Sequence, residues 1–217
     1  MAIITNSYLG TFTGKIGHMV IYELCGQMVG RGIGKSHKPA TINQLTARMA
    51  LKKMNIFFRD IKDFIKIGFE LEARGTTSNE SNMAIRYNGK CVKGVYPDVE
   101  IDFEKILVTK GAMPVVKNAK AKIITSGLKL TWDSQSDEKG MRNDDQVLVL
   151  AYFPGEIVKI RVFTTEVRRA DGKYTFKLDR DATMRNAHIY LSFISDNCKS
   201  ISDSQYLGEM SWDNAVK

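Results

Sequence analysis

The chain has 217 residues, of which 43% are apolar and 26% are charged, and its formal net charge is +8. This composition is typical of a globular protein, argues against wholesale disorder, and allows one large domain or two small ones. No apolar run approaches the roughly 18–20 residues of a membrane helix, and the N-terminus lacks the basic start of a signal peptide. The three cysteines are odd in number and far apart, so neither a disulfide framework nor a zinc site is expected.

The positive charge is concentrated in the first third of the chain. Residues 1–68 contain ten lysines and arginines but only three acidic residues. An uneven distribution of charge gives information about binding partners rather than about the fold. We therefore expect the N-terminal part of the chain to contact an acidic partner.

The first predicted elements are a β-hairpin and a long helix. Residues 17–24 and 27–33 are strand-like and flank a turn at Cys25-Gly26. Thr41 and Gln44 then form a capping box. Apolar residues that step by four and three predict an amphipathic helix of about seven turns. These residues are Ala50, Met54, Phe57, Ile61, Phe64 and Gly68. A second, shorter helix is predicted over residues 79–92.

From residue 100 the hydrophobic period changes from helical spacing to alternation. Seven short strands are predicted, namely EIDFEKILV, LKLTW, QVLVLAYF, EIVKIRVF, KYTFKLD, AHIYLSFI and SQYLGEM. Strands of this length and spacing are typical of an antiparallel β-sandwich. We therefore predict an α+β protein that divides near residue 99. Residues 1–99 hold the hairpin and helices, and residues 100–217 hold the sandwich.

The run GRGIGKSHKP at residues 30–39 raises the question of a phosphate-binding loop. Such a loop has a glycine five residues before its Gly-Lys-Ser ending and leads directly into a helix. Position 29 is valine here, and Pro39 disfavours helical backbone at Lys38. A flexible basic exit from the hairpin is therefore favoured over a nucleotide site.

Other chemistry-bearing residues are scattered. His18, His37 and His188 lack metal-ligand spacing, and no nucleophile elbow is present. The acid-rich segment 133–146 lacks the spacing of a calcium-binding loop, so a solvated loop is favoured over a cation site. We expect no catalytic residues, no metal and no cofactor. A hydrolase whose site is assembled from loops is the alternative class.

A basic stripe runs along the predicted long helix, almost opposite the apolar one. Its members also step by four and three: Arg48, Lys52, Asn55, Arg59, Lys62 and Lys66. With Arg31, Lys35 and Lys38, the cations of this stripe are the candidate residues for binding an acidic protein surface or nucleic acid. The alternative is a plain solvated face, and no aromatic residues interleave with the cations as they do in single-strand binders.

The order of several short motifs resembles an uncharacterised family of Bacteroidota and their phages, domain of unknown function 6266. The motifs are Gly14-Lys15-Ile16-Gly17, Lys38-Pro39-Ala40-Thr41 with Gln44 and Arg48, Ile67-Gly68-Phe69, Tyr96-Pro97 with Glu100-Ile101-Asp102-Phe103, Leu107-Val108 with Gly111, and Phe193-Ile194-Ser195. The resemblance spans nearly the whole chain. One departure is Leu24-Cys25-Gly26, where the family has Trp-Lys-Gly at the hairpin tip. The family has no known activity and no known catalytic residues that the resemblance could assign to this chain.

The last half of the chain is also similar to fibronectin type III and immunoglobulin-like modules. Leu128–Asp133 resembles their early strand with its core tryptophan, Trp132, and Ala187–Phe193 resembles a late core strand. This resemblance implies a module used for binding or structure, although a fold alone does not determine function. It also implies that the loops 133–146, 166–173 and 195–204 share one pole.

We therefore expect a non-enzymatic structural or interaction protein, most concretely a component of a phage virion. It is expected in the virion or the cytoplasm. The expected partners are protein subunits with acidic surfaces, including further copies of this chain, and no membrane. The alternative is a nucleic-acid-binding protein that uses the basic stripe.

Overall fold

The computed structural model describes residues 2–3, 13–24, 26–35, 38–124, 127–135, 138–154, 160–176 and 186–211. The chain forms two compact units, Met1–Thr41 and Ile42–Lys217. Helices and antiparallel sheets are both present, as the predicted α+β class requires.

The first unit is a four-stranded antiparallel sheet in the order β1-β4-β3-β2. Its strands are β1 (Ala2–Ile3), β2 (Gly14–Ile16), β3 (Met19–Leu24) and β4 (Gln27–Gly32). The predicted hairpin is confirmed, with Leu24 opposite Gln27 and Met19 opposite Gly32. Gly26 has a φ of +77°, the left-handed backbone that a tight hairpin turn needs.

Three helices open the second unit: α1 (Ile42–Asp60), α2 (Lys62–Ala73) and α3 (Glu80–Asn88). The prediction of one continuous helix is wrong at Ile61, where φ is −106° and ψ is 26°. The apolar period gives no sign of this break because Phe57, Ile61 and Phe64 are all buried. The hydrogen bonds also continue, from Ile61 N to Phe57 O at 3.2 Å and from Ile65 N to Ile61 O at 3.0 Å.

The third helix is shorter than the sequence predicts. The side chain of Asn79 accepts a hydrogen bond from Asn82 N at 2.8 Å and caps the start of α3. The helix ends at Asn88 with Gly89 as its C-cap, and the chain continues into β5 (Val92–Lys93), which pairs with β6 (Glu100–Ile101).

Two antiparallel sheets make up the rest of the second unit. Their orders are β10-β9-β12-β13 and β11-β8-β7. The strands are β7 (Lys120–Ile124), β8 (Gly127–Thr131), β9 (Gln146–Tyr152), β10 (Ile160–Arg168), β11 (Lys173–Phe176), β12 (Asn186–Ile194) and β13 (Gln205–Ser211). The sequence did not predict β7. Residues 156–159 and 177–179 of the predicted strands lie outside the described residues.

The predicted strand EIDFEKILV is wrong beyond Ile101. Its alternating residues Ile106 and Val108 are buried, but no neighbouring strand pairs with this part of the chain among the described residues. The Asn88 side chain replaces such a neighbour at Leu107. Its amide nitrogen donates to Leu107 O at 2.8 Å, and its amide oxygen accepts from Leu107 N at 2.7 Å.

The central strands β9 and β12 of the four-stranded sheet are buried on both faces. Val147, Val149 and Ala151 of β9 belong to a core cluster that includes both sheets. Leu148, Leu150 and Tyr152, which alternate with them, belong to a cluster that includes all three helices. The helices, the four-stranded sheet and the three-stranded sheet therefore form successive layers. The boundary predicted near residue 99 does not coincide with the division of the chain at Thr41. The helices before residue 99 and the strands after it share a core and belong to the same unit.

Gly68 is the point where α2 lies against the chain segment after α3. A Cβ atom at Gly68 would meet Val108 O at 2.3 Å and the Thr109 side chain at 3.0 Å. Lys110 N also donates to Gly68 O at 3.0 Å. A glycine inside this helix is therefore explained by a close backbone approach.

A buried ion pair, which sequence analysis missed, lies at the edge of the sheet core. Arg169 Nε and Asp145 Oδ2 are 3.0 Å apart, with side-chain exposures of 0% and 1%. The guanidinium also stacks on the Phe193 ring, 4.2 Å from its centroid. Trp132 Nε1 donates to Arg169 O at 2.8 Å. Arg169 Nη1 and Asp145 Oδ1 have no hydrogen-bond partner among the described residues.

We predict that Asp145→Ala strongly destabilises the fold. It leaves the Arg169 charge buried without a counter-ion, and such changes lower the free energy of unfolding by about 3–5 kcal/mol. Chemical denaturation followed by circular dichroism measures the loss. The control is Asp196→Ala, which breaks the exposed pair with neighbouring Arg168 and should cost much less. Equal losses in the two variants would contradict this view of the buried pair.

Candidate interaction surface

The basic stripe predicted on the long helix lies on the outer surface of α1 and α2. Arg48, Lys52 and Arg59 are on α1, and Lys62 and Lys66 are on α2. All five are exposed, as is Asn55 between them. The opposite side of the same helices holds the buried residues of the helical core cluster. The structure therefore places these five cations on one helical layer, facing away from the core.

Most of these cations have no counter-ion within the described part of the chain. Lys66 Nζ lies 3.8 Å from Asp63 Oδ1, and both side chains are well exposed. Arg48, Lys52, Arg59 and Lys62 form no ion pair with another described residue. A row of exposed, unpaired cations can neutralise an acidic surface on another molecule.

The other three candidate cations belong to the first unit. Arg31 is on β4, and Lys35 and Lys38 follow that strand in residues without regular structure. All three are exposed. The segment GRGIGKSHKP does not lead directly from Ser36 into a helix, since α1 begins at Ile42. Ser36 and His37 lie outside the described residues.

His188 is buried, with 8% of its surface exposed. Its ring stacks on Phe103 with centroids 4.0 Å apart, and its Nδ1 lies 3.0 Å from Tyr206 Oη. Burial lowers the pKa of the His188 imidazole, while Glu209 opposes the shift. His18, in contrast, is exposed.

The acid-rich segment 133–146 is organised by local contacts in its described part. Asp133 Oδ1 accepts a hydrogen bond from Gln135 N at 3.1 Å. Asp145 Oδ2 accepts from Arg142 N at 2.9 Å while it pairs with Arg169. Outside residues 136–137, which are not described, the segment takes part in no group of three or more His, Cys, Asp or Glu that could hold a metal ion.

An apolar groove of about 400 Å³ was missed by sequence analysis. It lies between the N-terminal half of α1, the end of α3 and β5. Its apolar walls are made by Ala47, Ala50, Leu51, Met54, Ile85 and Val92. The helical periodicity identified Ala50 and Met54 as core residues. The space beside them depends on how far α3 lies from α1, and the periodicity of one helix carries no such information.

The model of a family of unknown function, DUF6266, matches residues 11–208 of the chain. No curated protein and no solved structure matches it. None of the described helices is both long and apolar enough to cross a membrane.

We predict that acidification destabilises the fold through His188. Its pKa is lowered in the folded state, so the unfolded chain takes up a proton first, near the ordinary histidine pKa of about 6.5. The neutral imidazole thus contributes stability that is complete above about pH 6.5 and is lost as pH falls toward the folded-state pKa. Denaturation at pH 7.5 and 5.5 measures this loss.

The variant His188→Gln does not titrate in this range and serves as the control. Its stability should change less than that of the wild type between the two pH values, even if it is lower throughout. The same pH-dependent loss in both proteins would exclude His188 as the cause.

Proposed function

This chain belongs to DUF6266, a family of unknown function, and we propose that it is a non-enzymatic structural or interaction protein. Its most concrete form is a component of a phage particle. Its partners in this proposal are acidic protein subunits, including further copies of the chain.

The outer surface of the helical layer carries this proposal. Four cations on α1 and α2 lack ion pairs with other described residues. Two of them, Arg48 and Lys52, lie on either side of Leu51 in the sequence, and Leu51 lines the apolar groove. Covering unpaired charges and open apolar surface with a complementary partner lowers the free energy of the complex. A surface of this kind is therefore suited to docking.

The arrangement of the strands supports a binding or structural module. When the strands are counted from β7, the three-stranded sheet holds the first, second and fifth strands. The four-stranded sheet holds the third, fourth, sixth and seventh. We interpret this order as an immunoglobulin-like sandwich of the fibronectin type III kind. Trp132, the residue after β8, packs edge-on against Phe193 with centroids 5.6 Å apart, as a core tryptophan does. The fold supports the proposal by analogy alone.

We expect this chain in purified phage or prophage particles from its source. Quantitative mass spectrometry against the major capsid protein measures its copy number. A fixed, stoichiometric ratio supports the virion form of the proposal. Absence from particles, in cells that express the chain, contradicts that form.

A second candidate function is nucleic-acid binding, which the same unpaired cations favour. Arg48, Lys52 and Arg59 extend along about 17 Å of helix at 1.5 Å per residue. This length spans several phosphates of one strand, which follow each other every 3.4 Å along duplex DNA. Such contacts attract any sequence, because the backbone carries the charge.

If this candidate holds, labelled DNA binds with an affinity that falls steeply with salt. Three phosphate contacts give a log–log slope of about −2.7 for duplex DNA. The variant Arg48→Glu/Lys52→Glu/Arg59→Glu should lose binding in fluorescence anisotropy. The control Lys120→Glu/Lys122→Glu/Lys129→Glu makes the same change of net charge on β7 and β8 and should retain most of it. Salt-independent binding, or equal loss in both variants, eliminates this candidate.

A further inference from the structure

We propose that the groove between α1, α3 and β5 binds an acidic, amphipathic segment of a partner protein. This inference rests on the proposed function as an interaction protein and names the docking site and the chemistry of the partner.

The walls of the groove are aliphatic. Ala47, Leu51 and Met54 line it from α1, and Ile85 and Val92 face it from α3 and β5. Its volume of about 400 Å³ falls in the range of sites that hold several side chains or a small ligand. No aromatic ring lines it among the described residues. Bases stack on aromatic platforms, so the walls suit aliphatic side chains better than nucleic acid.

The hydroxyl of Thr46, which lines the groove, has partners within the chain. Thr46 Oγ1 donates to Ile42 O at 2.9 Å and accepts a hydrogen bond from Tyr96 N at 3.0 Å. The hydroxyl therefore needs no ligand to satisfy it. An occupant that enters the groove gains mainly by removing apolar surface from water.

Large apolar side chains are unusually exposed around this groove. Leu51 and Val95, which line it, are 49% and 57% exposed. Ile42 and Tyr96, which are adjacent in sequence to lining residues, are 62% and 41% exposed. Scattered exposed apolar residues are ordinary, but a contiguous group marks an interaction site.

The charges beside the groove determine the kind of partner. Residues 42–56 and 85–95, which supply its walls, contain no Asp or Glu. They contain six cations: Arg48, Lys52, Lys53, Arg86, Lys90 and Lys93. Lys93 forms an ion pair with Asp102, whose Oδ1 lies 2.9 Å from Lys93 Nζ. The other five form no ion pair with a described residue. An apolar segment flanked by acidic residues is complementary to such walls.

The dimensions of the groove fit a helical segment. Its lining on α1 extends from Asn43 to Met54, which is about 17 Å of helix. A helix docking in a groove uses apolar anchors at positions i, i+3 or i+4, and i+7. These anchors span about 10.5 Å at 1.5 Å per residue, so three of them fit along the groove.

Peptide titration followed by nuclear magnetic resonance of methyl groups tests the inference. Three peptides of about 16 residues share leucines at helical spacing and carry Glu, Ser or Lys at the remaining positions. The Glu peptide should shift the methyl signals of Met54, Ile85 and Val92. At low salt it should bind at least about tenfold more tightly than the Lys peptide.

Two variants of α1 provide a matched comparison. Leu51→Glu places a charge in the groove and should weaken binding of the Glu peptide at least about tenfold. Ile56→Glu makes the same change at another exposed aliphatic residue of α1. Five residues correspond to about 140° around a helix, so Ile56 lies away from the groove. Its effect on binding should be less than about twofold, with the fold of both variants confirmed by their amide spectra.

The inference is overturned if no peptide binds at about 1 mM, a concentration that corresponds to a binding free energy of only about −4 kcal/mol. It is equally overturned if the three peptides bind with the same affinity, or if Ile56→Glu weakens binding as much as Leu51→Glu. It is also overturned if Leu51→Glu instead dissolves a self-association of the chain, because the occupant is then a second copy. These results are independent of the particle measurement. A chain that is stoichiometric in particles but binds no acidic peptide keeps the proposed function and loses this site.

Discussion

The burial of the central strands β9 and β12 on both faces is the constraint on which the rest of the second unit depends. Successive side chains of a strand point to opposite faces, and β9 and β12 are buried at every position after the first. One face therefore needs the helices and the other needs the three-stranded sheet. Removing either layer would expose a continuous apolar surface. This is why helices and strands that look like separate domains in the sequence share a core.

The segments between these layers are held by side chains rather than by regular pairing. Asn88 satisfies both backbone groups of Leu107. Farther along, Val108 N donates to Ser204 Oγ at 2.9 Å, and Thr109 Oγ1 donates to Ser202 O at 2.8 Å. Buried backbone groups need such partners wherever a strand neighbour is lacking. Gly68 completes the arrangement, because a side chain there would collide with Val108 O.

The same architecture concentrates the interaction chemistry on the helical layer. The inner side of α1 contributes to the core, so its charged and open apolar residues are all presented outward or toward α3. Leu51 lines the groove next to Arg48 and Lys52 of the basic stripe. Apolar burial and charge pairing would thus act together on one partner, the first for affinity and the second for orientation and selectivity. This combination favours a protein partner over a ligand recognised by charge alone.

The sequence by itself determined the hairpin, the apolar side of α1 and α2, most of the strands and the exposure of the basic stripe. Each of these follows from a local period, such as Met54, Phe57 and Ile61 on one helical side or the alternation of β9, and a local period does not need distant contacts. The break at Ile61, the loss of the strand after Ile101, the Asp145–Arg169 pair and the groove were decided only by tertiary structure. They depend on residues far apart in the chain, such as Asn88 with Leu107 or Met54 with Val92. The packing of the layers determines which of these distant residues come into contact, and a short-range sequence pattern does not contain that information.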